Sequence, residues 1–111
     1  MAGRSAYLGE FEQVVLLAVV RLKDGAYGTN IRREIETRTG RRVTIGAMYV
    51  TLDRLAEKGY LRARDAPAGE IRGGRPRRFF TITASGVAAL EAARTLQSRM
   101  WAGIQLRGNR S

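Results

Sequence analysis

The hydrophobic pattern begins with apolar residues at steps of three and four, which is the spacing of one helix face. The members of this stripe are Leu8, Phe11, Val15, Val19 and Leu22. The segment Lys23-Asp24-Gly25 follows and is typical of a helix end. The pattern therefore predicts a first amphipathic helix with one buried face.

A second, shorter helix is predicted over residues 29–40. Ile31 and Ile35 are spaced for its buried face. Gly28 or Thr29 is suited to cap its start, and Gly40 is typical of a residue that ends a helix.

A third helix is predicted over residues 44–58, because Thr44 is a suitable N-cap and Lys58-Gly59 ends the pattern. Its apolar face comprises Ile45, Met48, Leu52, Leu55 and Ala56, with Tyr49 at the edge. A tight connection between the second and third helices is typical of a helix-turn-helix.

The pattern then changes to the two-residue period of strands. Leu61 and Ala63 alternate with arginines over residues 60–65, and Phe80 and Ile82 share one face over residues 77–83. Because a loop of turn residues and arginines separates the two segments, they predict a β-hairpin with a basic tip, a wing.

A last helix is predicted from a cap at Thr83 or Ser85 to about Leu106. Its stripe comprises Leu90, Ala93, Gln97, Met100, Trp101 and Ile104. Nothing else in the chain remains to cover the end of this stripe, so we expect a second copy of the protein to cover it.

The element order predicts a mainly α fold with a small β-hairpin, which is a winged helix-turn-helix domain plus a C-terminal dimerisation helix. We expect the DNA-binding domain over residues 1–83 and the dimerisation helix over residues 84–111. A chain of 111 residues is long enough for one domain only.

The net charge of +10 predicts an anionic partner, either nucleic acid or an anionic membrane surface. Arginine outnumbers lysine by 18 to 2, and GC-rich coding alone favours such a bias. The absence of Cys and His excludes the usual zinc sites and imidazole-based catalysis. We therefore expect no enzyme activity, metal or cofactor.

The longest apolar run, from Val14 to Val20, is too short to span a bilayer. Glu10 and Glu12 precede it and no small-residue cleavage site follows, which argues against a signal peptide. We expect a cytoplasmic protein without membrane contact.

The third helix carries the strongest candidate for DNA contact. Opposite Leu52, at 100° per residue, lie Gly46, Ala47, Val50 and Arg54, flanked by Thr44, Thr51 and Asp53. Small residues let a helix enter the major groove, where Ala47, Val50 and the Thr51 methyl can touch thymine methyls. Arg54 can reach a guanine or a phosphate; the alternative is an ordinary exposed helix face.

Two further segments are basic. The predicted wing holds Arg72, Arg75, Arg77 and Arg78, and arginine can enter a narrow minor groove. The first turn of the second helix can bind phosphate, while a solvated charged face is the alternative at both segments. The candidate DNA-binding residues are Thr29, Asn30, Arg33, Thr44, Gly46, Ala47, Tyr49, Val50, Arg54, Arg72, Arg75 and Arg77.

Several segments together resemble the PadR family of winged helix-turn-helix repressors. They are Leu8-Gly9, Tyr27-Gly28, residues 45–61 with their Tyr-x-x-Leu-x-x-Leu spacing, and residues 73–86 with Gly-Arg-Pro in the wing. Val50 departs from a frequent Pro of the family, and Phe80 departs from a common Tyr.

The resemblance implies a short member of the family that dimerises through its first and last helices and represses transcription until a small hydrophobic compound releases it. Some short members hold flat compounds in a pore at the dimer centre, lined by an aromatic residue of the last helix. Trp101 is then a candidate pore residue, together with Gln97 and Met100. Packing between subunits is the alternative role for Trp101.

We therefore expect a homodimer that binds an inverted-repeat operator in double-stranded DNA. Two alternatives stay open. One is a winged helix that binds RNA or protein without operator specificity, for which only Phe79 offers an aromatic on the exposed sheet. The other is a non-specific architectural DNA binder.

Overall fold

The computed structural model describes residues 7–66 and 77–107. Within these ranges lie helices α1 (Glu10–Leu22), α2 (Gly28–Thr39), α3 (Ile45–Glu57) and α4 (Ala84–Trp101), and strands β1 (Leu61–Ala66) and β2 (Arg77–Ile82). This order confirms the predicted mainly helical fold with a two-stranded hairpin. None of the helices in the described ranges combines the length and the apolar character that crossing a bilayer requires.

The core lies between the first three helices and the inner face of the hairpin. Its fully buried side chains are Val15, Leu16, Val19, Ile31, Met48, Leu52 and Leu55, with Phe80 contributed by β2. Burying one such side chain stabilises the fold by about 1.5–3 kcal/mol. The periodicity predicted for α1 and α2 is thereby confirmed, because Val15, Val19, Ile31 and Ile35 are all buried.

The predicted buried face of α3 is wrong at two positions. Ile45 is 48% exposed and Thr51 only 5% exposed. Ile45 is the first residue of α3 and lies beyond the buried stripe, whereas Thr51 lies three residues after Met48 and four before Leu55. Because α3 packs against α1, α2 and β1, its buried arc is wide enough to include Thr51. Thr51 is therefore not available to touch a thymine methyl.

Local caps define the helix-turn-helix. The Thr44 hydroxyl accepts a hydrogen bond from the Ala47 N–H at 3.1 Å, and Gly40 adopts the left-handed conformation with φ 74°, both as predicted. The expected cap of α2 is wrong, because Tyr27 is its N-cap and has an extended backbone. Gly28 and Thr29 lie inside the first helical turn.

The two strands are antiparallel, with Leu61 opposite Ile82 and Ala63 opposite Phe80. The N–H of Phe80 donates to the carbonyl of Ala26 at 2.8 Å, so β2 is the inner strand and β1 the edge strand. The predicted alternation is present as a strand, but of the pair Leu61 and Ala63 only Leu61 is buried.

Helix α4 begins at the N-cap Thr83, whose hydroxyl accepts from the N–H of Gly86 at 3.1 Å. It ends at Trp101 and not near Leu106, because Gly103 takes a φ of 80° that turns the chain out of the helix. Ile104 therefore lies outside the helical stripe. Every residue from 94 to 107 is exposed, so the second half of α4 projects from the rest of the protein.

A buried ion pair joins the start of α1 to the end of α3. One carboxylate oxygen of Glu12 accepts from the Gly9 N–H at 2.8 Å, and the other accepts from Lys58 Nζ at 2.9 Å. Burial by itself would raise the pKa of Glu12, but the bonds from Lys58 and Gly9 outweigh it and hold the pKa below its ordinary value. The pair therefore favours the charged carboxylate in the folded chain.

We expect Glu12 to make folding stability depend on pH. Since its pKa is lower in the folded chain, the unfolded chain binds more protons, so this stability is present above about pH 5 and lost as the pH falls through the folded-state pKa. Glu12→Gln should remove that contribution and lower the free energy of unfolding by about 2 kcal/mol at pH 7. Urea unfolding between pH 3 and pH 7 measures both effects.

The partner and a matched lysine provide the controls for this experiment. Lys58→Met should reproduce the loss, whereas Lys23→Met, which removes the chain's other lysine, should keep the wild-type profile. Identical pH profiles for the wild type and Glu12→Gln would contradict the assignment.

Candidate nucleic-acid interface

The outward face of α3 is uncharged along its first two turns, where Ile45, Tyr49 and Val50 are exposed beside Gly46 and Ala47. Met48, Leu52 and Leu55 are fully buried, so the opposite face must point to solvent. Val50 is 56% exposed. The structure brings six of the candidate residues together on this exposed face or its edge: Thr44, Gly46, Ala47, Tyr49, Val50 and Arg54.

Tyr49 connects this face to the start of α2. Its hydroxyl lies over Gly28, which is buried, and a Cβ on Gly28 would overlap that hydroxyl. Glycine at this position therefore permits the close approach of α3 to the first turn of α2. The phenol remains 41% exposed, so one edge of Tyr49 still meets solvent.

The candidate residues of α2 differ in their surroundings. Thr29 and Arg33 are exposed, and Arg33 forms no ion pair with any residue in the described ranges. Asn30 is half-buried and its side-chain amide donates to the carbonyl of Gly25 at 3.0 Å, so it stabilises the short 3-10 turn at Lys23–Gly25. A DNA contact from Asn30 would have to use its remaining polar atoms.

Aromatic and arginine side chains meet where the wing joins the helices. The backbone of Tyr27 bridges to Phe79, and the two rings pack edge to face with centroids 5.2 Å apart. The guanidinium of Arg77 lies 4.2 Å above the Tyr27 ring, and that of Arg64 lies 5.2 Å above the Phe79 ring. These contacts fix the base of the wing relative to α2.

Two features of this junction bear on the sequence interpretation. Phe79 is half-buried between Tyr27 and Arg64, so its ring is not an open platform for stacking a base. Tyr27 was not among the candidate residues predicted from the sequence. A single Tyr before a helix does not indicate that its ring will pack against Phe79, which lies far along the chain. Arg72 and Arg75, the candidates at the wing tip, lie outside the described residues.

The carboxylates of the described chain are largely occupied by internal partners. Glu10 pairs with Arg41 at 2.8 Å, Asp65 pairs with Arg78 at 3.1 Å, and Glu34 pairs with both Arg21 and Arg38. The two arginines beside Glu34 lower its pKa.

Part of the excess positive charge stays without internal partners. Arg33 and Arg54 form no ion pair with any described residue, although the charge of Arg54 contributes to the low pKa of Glu12. Arg33 of α2 and Arg54 of α3 are therefore exposed positive charges that no described residue pairs.

A separate apolar groove of about 550 Å³ runs between α1 and α4. Leu17 is 50% and Val87 41% exposed there. The other residues that line it include Gln13, Val20, Leu90 and Gln97. One chain thus presents contiguous apolar side chains from its first and last helices.

One chain does not bring the three predicted pore residues together. Gln97 lines the α1–α4 groove, whereas Met100 lines a second depression on α4 beside Leu96. Trp101, which is 52% exposed, lines neither of these two cavities.

Comparisons with known proteins agree with this architecture. The model of the "Transcriptional regulator PadR-like family" matches residues 16–92. A search of curated proteins finds no match to the chain.

Three solved structures illustrate the shared fold. A PadR-like transcription factor from Bacteroides fragilis is 21% identical, with a TM-score of 0.69 over 81% of this chain and 82% of that chain. A PadR family regulator from Clostridium difficile R20291 is 22% identical, with a TM-score of 0.66 over 81% of this chain and 88% of that one. F93 from STIV, a winged-helix DNA-binding protein, is 18% identical, with a TM-score of 0.70 over 89% and 99% of the two chains. The fold is therefore that of a winged helix.

Proposed function

We propose that this chain, which belongs to the PadR-like family of transcriptional regulators, is a dimeric repressor. The dimer binds an inverted-repeat operator and dissociates from the DNA when a small aromatic effector binds. The observation that carries the proposal is the uncharged outward face of α3, together with the exposed Arg33 and Arg54, which form no ion pair with any described residue. A winged-helix module that binds RNA by base stacking is less favoured, because Phe79 is engaged by Tyr27 and Arg64.

In this proposal α3 reads base edges in the major groove. Gly46 and Ala47 let the helix approach closely, and the methyl groups of Ala47 and Val50 contact thymine methyls. Arg54, near the end of α3, reaches a guanine or a phosphate. Thr44 and the exposed edge of Tyr49 contact the backbone at the border of the groove.

The flanking elements contribute phosphate contacts that fix the register. Thr29 and Arg33 act from the first turns of α2, where backbone N–H groups favour an anion. Asn30 stabilises the 3-10 turn that precedes α2 and contacts DNA with its remaining polar atoms. Arg77 acts from the base of the wing, where stacking on Tyr27 restricts its motion and lowers the entropy lost on binding. Arg72 and Arg75, which precede Arg77 in the sequence, are proposed to contact DNA as well.

The α1–α4 groove supports the proposed dimer. The groove exposes apolar side chains of the first and last helices, and exposed apolar side chains that lie together are a common feature of protein–protein contacts. A second copy offers the matching surface, because a two-fold interface uses the same patch on both subunits. Two such chains would present two α3 helices to successive major grooves, about 34 Å apart.

The effector site is proposed at the dimer centre. Gln97, Met100 and Trp101 are exposed on the projecting half of α4, where a partner helix can complete a cavity that one chain lacks. Apolar and aromatic lining with one amide suits a flat, hydrophobic ligand.

For sequence reading by α3, we expect selection from a random DNA pool to enrich one inverted repeat. The wild type should prefer it over a shuffled duplex by roughly a thousandfold near 200 mM salt. Val50→Ala should reduce that preference, because it removes an apolar contact with a base. Arg77→Ala should weaken binding to both duplexes equally and reduce the magnitude of the slope of log affinity against log salt by about one. Fluorescence anisotropy measures all of these values, and equal binding of both duplexes by the wild type would contradict specific regulation.

For the dimer, we expect Leu17→Glu to give a monomer, because it introduces a charge into the α1–α4 groove. Sedimentation equilibrium measures the mass of the wild type and the variant. Val50→Glu, which makes the same kind of change at an equally exposed apolar residue of α3, should remain a dimer. If Leu17→Glu remained a dimer, the dimer interface would not lie in the α1–α4 groove.

For the effector, Trp101 is the chain's only tryptophan and serves as its own probe. We expect planar aromatic compounds that quench Trp101 fluorescence also to release the protein from the selected duplex. Trp101→Leu should retain DNA binding and lose the release. If the same compounds still released Trp101→Leu from the DNA, the effector site would not include Trp101.

A further inference from the structure

The connection between α2 and α3, residues 40–44, sets where α3 begins. It leaves α2 through the left-handed Gly40 and reaches Thr44, the N-cap of α3. Val43 is the last residue before that cap, and its side chain is only 5% exposed. The position of Val43 therefore decides the position of the first turn of α3.

Both backbone polar groups of Val43 are bonded to side chains of α2. The Val43 N–H donates to Oε2 of Glu36 at 2.9 Å. The Val43 carbonyl accepts from Nε of Arg32 at 2.8 Å. Glu36 and Arg32 lie one helical turn apart, with 3.6 Å between Nε and Oε2, so they form an ion pair that holds one peptide segment from both sides.

We propose that Arg32 and Glu36, here called the Val43 clamp, are positioning residues for the reading of DNA sequence by α3. This inference rests on the proposed function, since it assigns a role within the same site. Neither residue needs to touch a base. Their effect passes through the backbone of Val43 to the adjacent N-cap and the first turns of α3.

The physical reason is the different range of the two kinds of DNA contact. Van der Waals contacts from Ala47 and Val50 to base methyls weaken steeply with a displacement of less than about 1 Å. Attraction between arginines and phosphates falls off slowly with distance, so a small shift hardly changes it. A loosened Val43 should therefore reduce sequence discrimination and leave the electrostatic part of binding unchanged.

The change in DNA affinity on removal of Glu36 should be opposite to the change that net charge alone predicts. The protein carries a net charge of +10, so removal of a carboxylate should strengthen its attraction to DNA. The clamp predicts instead that removal of Glu36 weakens binding to the specific duplex.

The chain supplies a matched control on the same helix. Glu34 is also paired with arginines, through bonds of 3.0 Å from Arg38 and 3.1 Å from Arg21. It makes no hydrogen bond to the residues of the connection within the described chain. Glu34→Ala therefore makes the same change in charge and also removes ion pairs, but it leaves Val43 held.

The experiment compares full-length wild type, Glu36→Ala, Glu36→Gln and Glu34→Ala on two duplexes: the one most enriched by the wild type from random DNA, and a shuffled version. Affinities are measured at several salt concentrations and at a temperature where thermal unfolding curves show every variant folded. Glu36→Ala should lose roughly tenfold of the preference for the selected duplex, about the effect of one mismatched base pair. Its salt slope should equal that of the wild type.

Glu36→Gln should recover most of the preference, because the amide oxygen still accepts from the Val43 N–H. Glu34→Ala should retain the full preference. A wild-type preference in Glu36→Ala, or an equal loss in Glu34→Ala, would overturn the inference.

Arg32→Ala separates positioning from direct contact with phosphate. A positioning role predicts the same loss of preference as in Glu36→Ala. Equal weakening on both duplexes with a slope lower by about one would make Arg32 a phosphate ligand instead and overturn its part in the clamp. Failure of the proposed function is a distinct result: the wild type itself would then bind both duplexes equally.

Discussion

The burial of one face of α3 is the constraint on which the other features of the site depend. Met48, Leu52 and Leu55 pack against the first two helices and the hairpin, and this packing fixes the rotation of α3 about its axis. Once those three side chains are inside, Gly46, Ala47 and Val50 must face outward. The same burial that stabilises the domain therefore also determines which side chains form the proposed DNA-binding surface.

The remaining elements hold this helix in place at three points. Tyr49 lies over Gly28 at the start of α2, and Lys58 at the other end is bonded to Glu12 of α1. The connection to α2 is held through Val43. The wing is attached separately, through the bridge between Tyr27 and Phe79. The outward surface is thus carried by packed helices, and α4 is left to project from them with its apolar side chains exposed.

Electrostatics act on top of this scaffold. Most carboxylates of the described residues are paired within the protein, for example Glu10 with Arg41 and Asp65 with Arg78. The positive excess consequently lies on arginines such as Arg33, which are exposed and unpaired within the described chain. Such charges favour association with a polyanion whatever its sequence, and the proposed function assigns the discrimination among sequences to the uncharged outward face of α3.

The sequence alone determined the features that depend on residues a few positions apart. The spacing of Val15 and Val19, the cap at Thr44 and the end of α2 at Gly40 were all predicted correctly, because helix periodicity and caps are local. The PadR-like resemblance likewise followed from short segments in a fixed order. The outward position of Ala47 and Val50 followed from the helical repeat.

The tertiary structure alone decided the features that need partners distant in the chain. Thr51 is buried because α3 packs on several sides, and Phe79 is covered by Tyr27. The sequence does not distinguish Glu36 from an ordinary exposed helix residue, because its bond with the Val43 N–H forms only in the folded chain. The physical reason is the same in each case. The local sequence determines which side chains lie on the same face of a helix or strand. The packing of whole helices and strands determines which other residues, or solvent, that face contacts.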